Sequence, residues 1–140
     1  MLYYQLRSYP ISTKLVLVIW SVGFLIGTYT HTNHLVTHGL LHHKAPIALS
    51  VYWDTLTLLD PLTAALLWWK PKIGILLAVS IMASDISINT YHYLSGYAGQ
   101  VTSGMVPLFL FDQALFGLFV FVTASLVWRQ ARDIQLKSAS

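Results

Sequence analysis

Cysteine and glutamate are both missing from this 140-residue chain, and charged residues of any kind make up only 9% of it. The absence of cysteine excludes a disulfide framework, thiol catalysis and thiolate-bound metal. Soluble domains usually carry about 25% charged residues, so a chain with this little charge cannot cover itself with a hydrated surface. Disorder is excluded as well, because disordered chains combine high charge with low hydrophobicity, whereas 56% of these residues are hydrophobic.

Four apolar stretches dominate the sequence, and they approach or exceed the ~20 residues that a helix needs to cross a bilayer. We place them at about 15–30, 46–69, 73–94 and 105–128. Because backbone polar groups must be satisfied inside lipid, stretches of this length form helices. The sequence therefore predicts an all-α membrane protein, a bundle of four transmembrane helices forming one domain over residues 1–140, with membrane lipid around it.

Basic residues are unevenly distributed between the two sides of the predicted bundle. Lys44 alone falls on one side, and the remaining seven fall on the other: Arg7, Lys14, Lys70, Lys72, Arg129, Arg132 and Lys137. By the positive-inside rule, both termini face the cytoplasm, and a bacterial inner membrane is the expected location. This topology also explains the net charge of +3, so we expect no nucleic-acid partner.

Four aspartates fall inside the predicted spans, where an acid at mid-bilayer costs at least ~2.5 kcal/mol. A rise of 1.5 Å per residue places Asp54, Asp85 and Asp112 roughly 13, 12 and 10 Å below the outer surface, with Asp60 deeper. We therefore predict a functional site, with Asp85, Asp54 and Asp112 as candidate catalytic residues. The alternative is that these acids only hydrogen-bond across helices and hold the bundle together.

Polar residues accompany the acids on the second and third spans. Asn89 and His92 follow Asp85 at i+4 and i+7, on one helical face, where they would orient or complete the site. We assign Asn89 and Asp60 to binding of a cofactor or ligand. A simpler interpretation of Asp60 is that it caps a helical segment that begins at Pro61. Together these side chains predict a polar pocket that opens to the outer side.

Five of the six histidines lie between residues 31 and 43. This amphipathic segment either continues the first helix or forms a separate helix on the membrane surface. His31, His34 and His92 with Asp85 form a donor set suited to zinc or non-haem iron, which are the cofactors expected if the site uses any. The alternative is that the histidines supply a hydrated interfacial face.

A GxxxG element on the first span, Gly23 to Gly27, allows a close approach of two helix backbones. It is expected to pack inside the bundle, or else to mediate a homo-oligomer.

Three functional classes fit this pattern. The first is a metal-dependent enzyme that acts on a lipid or another apolar substrate. The second is a module that binds or transports a proton, a cation or a small amphiphile. The third is a structural subunit of a larger membrane complex, in which the acids face outward toward partners. We favour an outward-opening His/Asp pocket that binds a metal ion or a small, apolar ligand, with catalysis left open.

Overall fold

The computed structural model describes residues 9–96 and 105–139, and all the regular structure in this part of the chain is helical. The four helices are α1 (Ile11–His38), α2 (Ile47–Trp69), α3 (Pro71–Leu94) and α4 (Met105–Ala139). The predicted all-helical fold is confirmed. Arg7 lies outside the described residues. The histidine-rich segment is not a separate helix, because α1 continues to His38 and residues 39–46 form a loop.

Glycine and proline mark the helix boundaries. Gly39 adopts a φ of 87°, which a side chain would disfavour, and its N–H donates to Leu35 O at 2.9 Å to end α1. Pro46 immediately precedes α2. Pro71 is the first residue of α3, where its fixed φ suits a helix and its missing N–H needs no partner. Lys70 alone therefore joins α2 to α3.

Helix α2 runs without interruption through Pro61. The interpretation of Asp60 as the cap of a new helical segment is therefore wrong, since Asp60 lies in the helix interior and is buried. A proline within a helix removes one backbone hydrogen bond, and in membrane helices neighbouring structure compensates for this loss.

The helices pack in a ring in which α1 and α3 each contact both α2 and α4. Tryptophan N–H groups link neighbours in this ring: Trp20 Nε1 donates to Thr123 Oγ1 at 3.1 Å, and Trp68 Nε1 donates to Ser21 Oγ at 2.8 Å. Of the four neighbouring pairs, α1 and α4 pack least closely. The interface between α1 and α4 is therefore the least tightly packed of the four.

The bundle exposes apolar side chains on its outside as well as burying them in its core. Large apolar side chains are exposed on every helix, whereas buried polar ones include Ser50, Asp60 and Thr63. Three helical stretches are long and apolar enough to cross a membrane: Ile11–His38, Pro71–Leu94 and Leu108–Ile134. Helix α2 is not among these three stretches and carries two aspartates and three threonines, of which Asp60 and Thr63 are buried by its neighbours.

Candidate functional site

A hydrogen-bonded network joins α2, α3 and α4 around Asp85. Asn89 lies one turn beyond Asp85 on α3, and its Nδ2 donates to Asp85 Oδ1 at 3.0 Å. Gln113 Nε2 on α4 donates to the other carboxylate oxygen, Oδ2. Asn89 Nδ2 also lies 3.2 Å from Gln113 Oε1, and Trp53 Nε1 on α2 donates to Asn89 Oδ1 at 2.9 Å. Asn89 therefore links Asp85 to Trp53 and Gln113, and both Asp85 oxygens have amide donors.

Asp60 lies against α1 and is only 4% exposed. Its Oδ2 is 3.9 Å from His31 Nε2, which is beyond hydrogen-bond distance. A Cβ built on Gly27 would lie 2.5 Å from the same oxygen. Glycine at this position is therefore what lets the Asp60 carboxylate approach the backbone of α1 so closely.

Asp54 is turned away from the other acids and holds the loop between α1 and α2. Leu41 N–H donates to Asp54 Oδ2 at 2.8 Å, and His43 Nε2 lies 3.1 Å from Oδ1. Leu41 has a φ of 59°, the left-handed conformation that L-residues rarely adopt. The contacts of Asp54, a candidate catalytic residue, thus stabilise a loop with a strained backbone at Leu41.

The histidines form a column of aromatic rings. His34 stacks on His38 with ring centroids 4.5 Å apart and on His43 at 4.0 Å. The ring of His43 lies 4.9 Å from Trp53, which meets His92 edge-on at 5.0 Å. His92 Nε2 is also 3.4 Å from Lys44 O. The loop therefore folds back over the ends of α2 and α3.

Two adjoining cavities lie beside these groups. The outer cavity, about 320 Å³, is lined by histidines at positions 31, 34, 43 and 92 together with Trp53, Asp85 and Asn89. The inner cavity, about 480 Å³, is lined by residues of all four helices, including His31, Asp60, Asp85, Asp112 and Gln113. Thr30, His31, Asp85 and Phe109 line both. The two cavities are thus neighbouring spaces that share part of their lining.

The predicted metal ligands His31, His34, His92 and Asp85 all line the outer cavity. Within residues 9–96 and 105–139, however, no three histidine or aspartate side chains form a group that could hold a metal ion. The rings of His34 and His43 stack face to face, and amide groups already occupy both Asp85 oxygens. The geometry of the described side chains therefore gives the metal interpretation no support.

The acids that line the inner cavity differ from the three that were predicted from their depth in the membrane. Asp85 and Asp112 are joined there by Asp60 rather than by Asp54. Asp112 lines the cavity and is also exposed at the bundle surface. Gln113, the second amide partner of Asp85, received no role from the sequence, where its only signal was its position beside Asp112.

Gly23 and Gly27 face the interior of the bundle. A Cβ at Gly23 would overlap the ring of Phe116 on α4, and one at Gly27 would meet Asp60. This agrees with packing inside the bundle, and a homo-oligomer remains a prediction that would need another surface.

Comparisons of the chain with protein-family models, with curated proteins and with solved structures found no match.

Proposed function

We propose that this chain is an integral protein of a bacterial inner membrane that crosses the bilayer four times, with both termini in the cytoplasm. Its cavity pair binds a small apolar or amphipathic ligand. The observation that carries this proposal is the inner cavity of about 480 Å³ inside a bundle whose outer surface is apolar. Small-molecule sites usually have volumes of about 300–1,000 Å³ and combine apolar walls with a few polar groups.

The basic residues support the proposed orientation. Lys70 Nζ lies 5.8 Å from the ring centroid of Trp69, and Lys72 Nζ lies 5.9 Å from that of Trp128. The turn between α2 and α3 therefore adjoins the part of α4 that carries Arg129. Lys44 belongs to the loop at the opposite end of the bundle, and tryptophan and lysine side chains commonly sit at membrane interfaces.

Helix α2 can be the fourth span even though it carries two aspartates and is not among the three long apolar stretches. Its carboxylate at Asp60 and its hydroxyl at Thr63 are covered by neighbouring helices, and residues facing lipid, such as Leu58 and Leu62, are apolar. Polar groups inside a membrane bundle face its interior or a cavity.

Ligand binding can be tested with the fluorescent probe 1-aminoanthracene on protein in lipid nanodiscs. Thr30 lines both cavities, and its hydroxyl bonds only within its own helix, to Gly27 O at 2.8 Å. Thr30→Trp should fill the space where the two cavities meet and weaken saturable probe binding about ten-fold or more. Thr32 is exposed on the same helix and lines neither cavity, so Thr32→Trp is the matched control. Equal probe binding by both variants, or none above empty nanodiscs, would contradict the proposal.

The other functional classes make different predictions. A zinc- or iron-dependent enzyme would copurify with stoichiometric metal that is lost in Asp85→Asn, and elemental analysis measures this directly. A structural subunit would turn its acids outward. Asp112 is exposed, but Asp60 and the network of Asp85 face inward, which favours a ligand site. Asp60 and Asp112 are proposed to contact the ligand, and Asp85 lines the same cavity.

A further inference from the structure

The polar groups that line the inner cavity are rich in hydrogen-bond acceptors and poor in free donors. Gln113 Nε2 is committed to Asp85, and the Thr30 hydroxyl donates to Gly27 O. Among the residues that the structure describes, no group donates a hydrogen bond to the carboxylate of Asp60 or Asp112. Apart from the imidazole of His31, which lies 3.9 Å from Asp60 Oδ2, these carboxylates lack a nearby donor, so a ligand with donors of its own would suit the cavity.

The shortage of hydrogen-bond donors matters most at Asp60, because this residue is only 4% exposed. A carboxylate removed from water is strongly unfavourable unless it is paired and hydrogen-bonded. The nearest basic group is His31 Nε2 at 3.9 Å, and no lysine or arginine lines the cavity. An ammonium group carries a positive charge and three N–H donors, so it would both pair with the Asp60 carboxylate and donate hydrogen bonds to it.

The remaining cavity wall is hydrocarbon. Aromatic and aliphatic side chains from α1, α3 and α4 line it, namely Phe24, Ile26, Ile81, Met82, Phe109 and Phe116. A ligand matched to this wall has an apolar body behind its charged head.

The bundle also shows where such a molecule would enter. Ile26 on α1 and Phe109 on α4 line the cavity yet remain 59% and 55% exposed, and Asp112 is exposed beside them. These residues belong to the pair of helices that pack least closely. The cavity wall is thus continuous with the lateral surface of the bundle between α1 and α4.

We infer that the inner cavity takes an amphipathic primary amine that arrives from the membrane between α1 and α4, with its ammonium group between Asp60 and Asp112. This inference rests on the proposed ligand-binding function and specifies the ligand class and its route. Asp85, whose oxygens are held by amides, adds negative potential, whereas Asp60 and Asp112 provide the open acceptors.

The test is displacement of 1-aminoanthracene at pH 7.5 by molecules that have nearly the same alkyl chain and different head groups: decylamine, 1-decanol, decanoate and decyltrimethylammonium. Decylamine should displace the probe at about ten-fold lower concentration than decanol, because hydrogen bonds to a charged group are the stronger ones. Decanoate should be the weakest, since it meets carboxylates. The quaternary amine lacks N–H donors and should fall below decylamine.

Variants assign the preference to the carboxylates. Asp60→Asn and Asp112→Asn should each remove part of this preference for decylamine over decanol, lowering it about three-fold. Asp133→Asn changes an aspartate whose side chain is 53% exposed near the end of α4 and should have no effect. Asp112 is exposed, so Asp112→Asn should fold and keeps the test valid if Asp60→Asn does not. For the route, Ile26→Trp should slow displacement, whereas Ile19→Trp, at another exposed position of α1, should not.

The outcomes separate the two proposals. Probe binding with equal displacement by decanol and decylamine, or a preference that survives both aspartate variants, would overturn the inference and leave the ligand-binding function standing. Failure of the probe to bind at all would remove the ligand-binding function itself.

Discussion

Removal of the Asp54 carboxylate should release the loop of residues 39–46 without unfolding the bundle. Asp54 accepts the Leu41 N–H at 2.8 Å and lies 3.1 Å from His43 Nε2. A hydrogen bond to a charged group contributes about 1.5–3 kcal/mol. Leu41 also holds a left-handed conformation, which disfavours L-residues by roughly 1–2 kcal/mol. Without Asp54, nothing in these contacts offsets that strain.

Hydrogen exchange measured by mass spectrometry on peptides spanning residues 39–46 provides the assay. A loss of about 1.5–3 kcal/mol corresponds to exchange roughly 10- to 100-fold faster in Asp54→Ala. Asp54→Asn keeps one acceptor and should show a smaller increase. Leu41→Gly keeps the N–H donor and relieves the strain, so exchange should be unchanged or slower.

The matched control is Asp133→Ala, since Asp133 pairs only with its neighbour Arg132, at 3.6 Å, among the described contacts. In Asp133→Ala, residues 39–46 should exchange at the same rate as in the unmodified protein. If Asp54→Ala leaves exchange in residues 39–46 unchanged, the role of Asp54 as loop anchor is refuted, and its assignment as a ligand-contacting or catalytic residue regains weight.

Three further changes test the packing and the orientation. Gly27→Ala should alter the free energy of unfolding by no more than about 1 kcal/mol, because alanine's helix propensity offsets displacement of the neighbouring carboxylate. The same change should weaken decylamine binding several-fold. Normal affinity would contradict the close approach of the Asp60 carboxylate to Gly27. Trp68→Phe removes an interhelical hydrogen bond and should destabilise the bundle by about 1 kcal/mol, whereas Trp69→Phe, at a side chain 66% exposed, should stay within about 0.5 kcal/mol, as thermal unfolding can measure. Since the chain has no cysteine, Lys70→Cys and Lys44→Cys can be labelled singly in spheroplasts with a membrane-impermeant maleimide; we expect labelling only at Lys44→Cys, and the reverse pattern would invert the proposed topology.

The apolar exterior of the bundle connects the fold to the site. Apolar side chains cover the outside of the bundle, so hydrophobic burial in a soluble sense cannot by itself select how the helices pair. Hydrogen bonds from tryptophan, asparagine and glutamine connect the helices instead, and the same amides hold Asp85 in place. The residues that assemble the bundle are therefore partly the residues that build the cavity.

Local features of the sequence determined the helices and some of the site. Apolar length indicated four helices, and proline and glycine marked several of their ends. The pairing of Asp85 with Asn89 followed from the helical period alone, because residues four apart share a face. The concentration of histidines near one end of the first span was equally visible, although the sequence left open whether α1 would continue through it.

Tertiary structure decided which acids share a cavity. Asp54 and Asp60 lie on one helix but point about 120° apart, so depth in the membrane could not show that one would turn to the loop and the other to α1. The approach of α1 at Gly27, the rotation of α4 that presents Gln113 to Asp85, and the return of the loop that stacks His43 on His34 all join residues distant in sequence. Helical periodicity fixes directions only within one helix, and the rotation of each helix about its own axis is set by packing against the others.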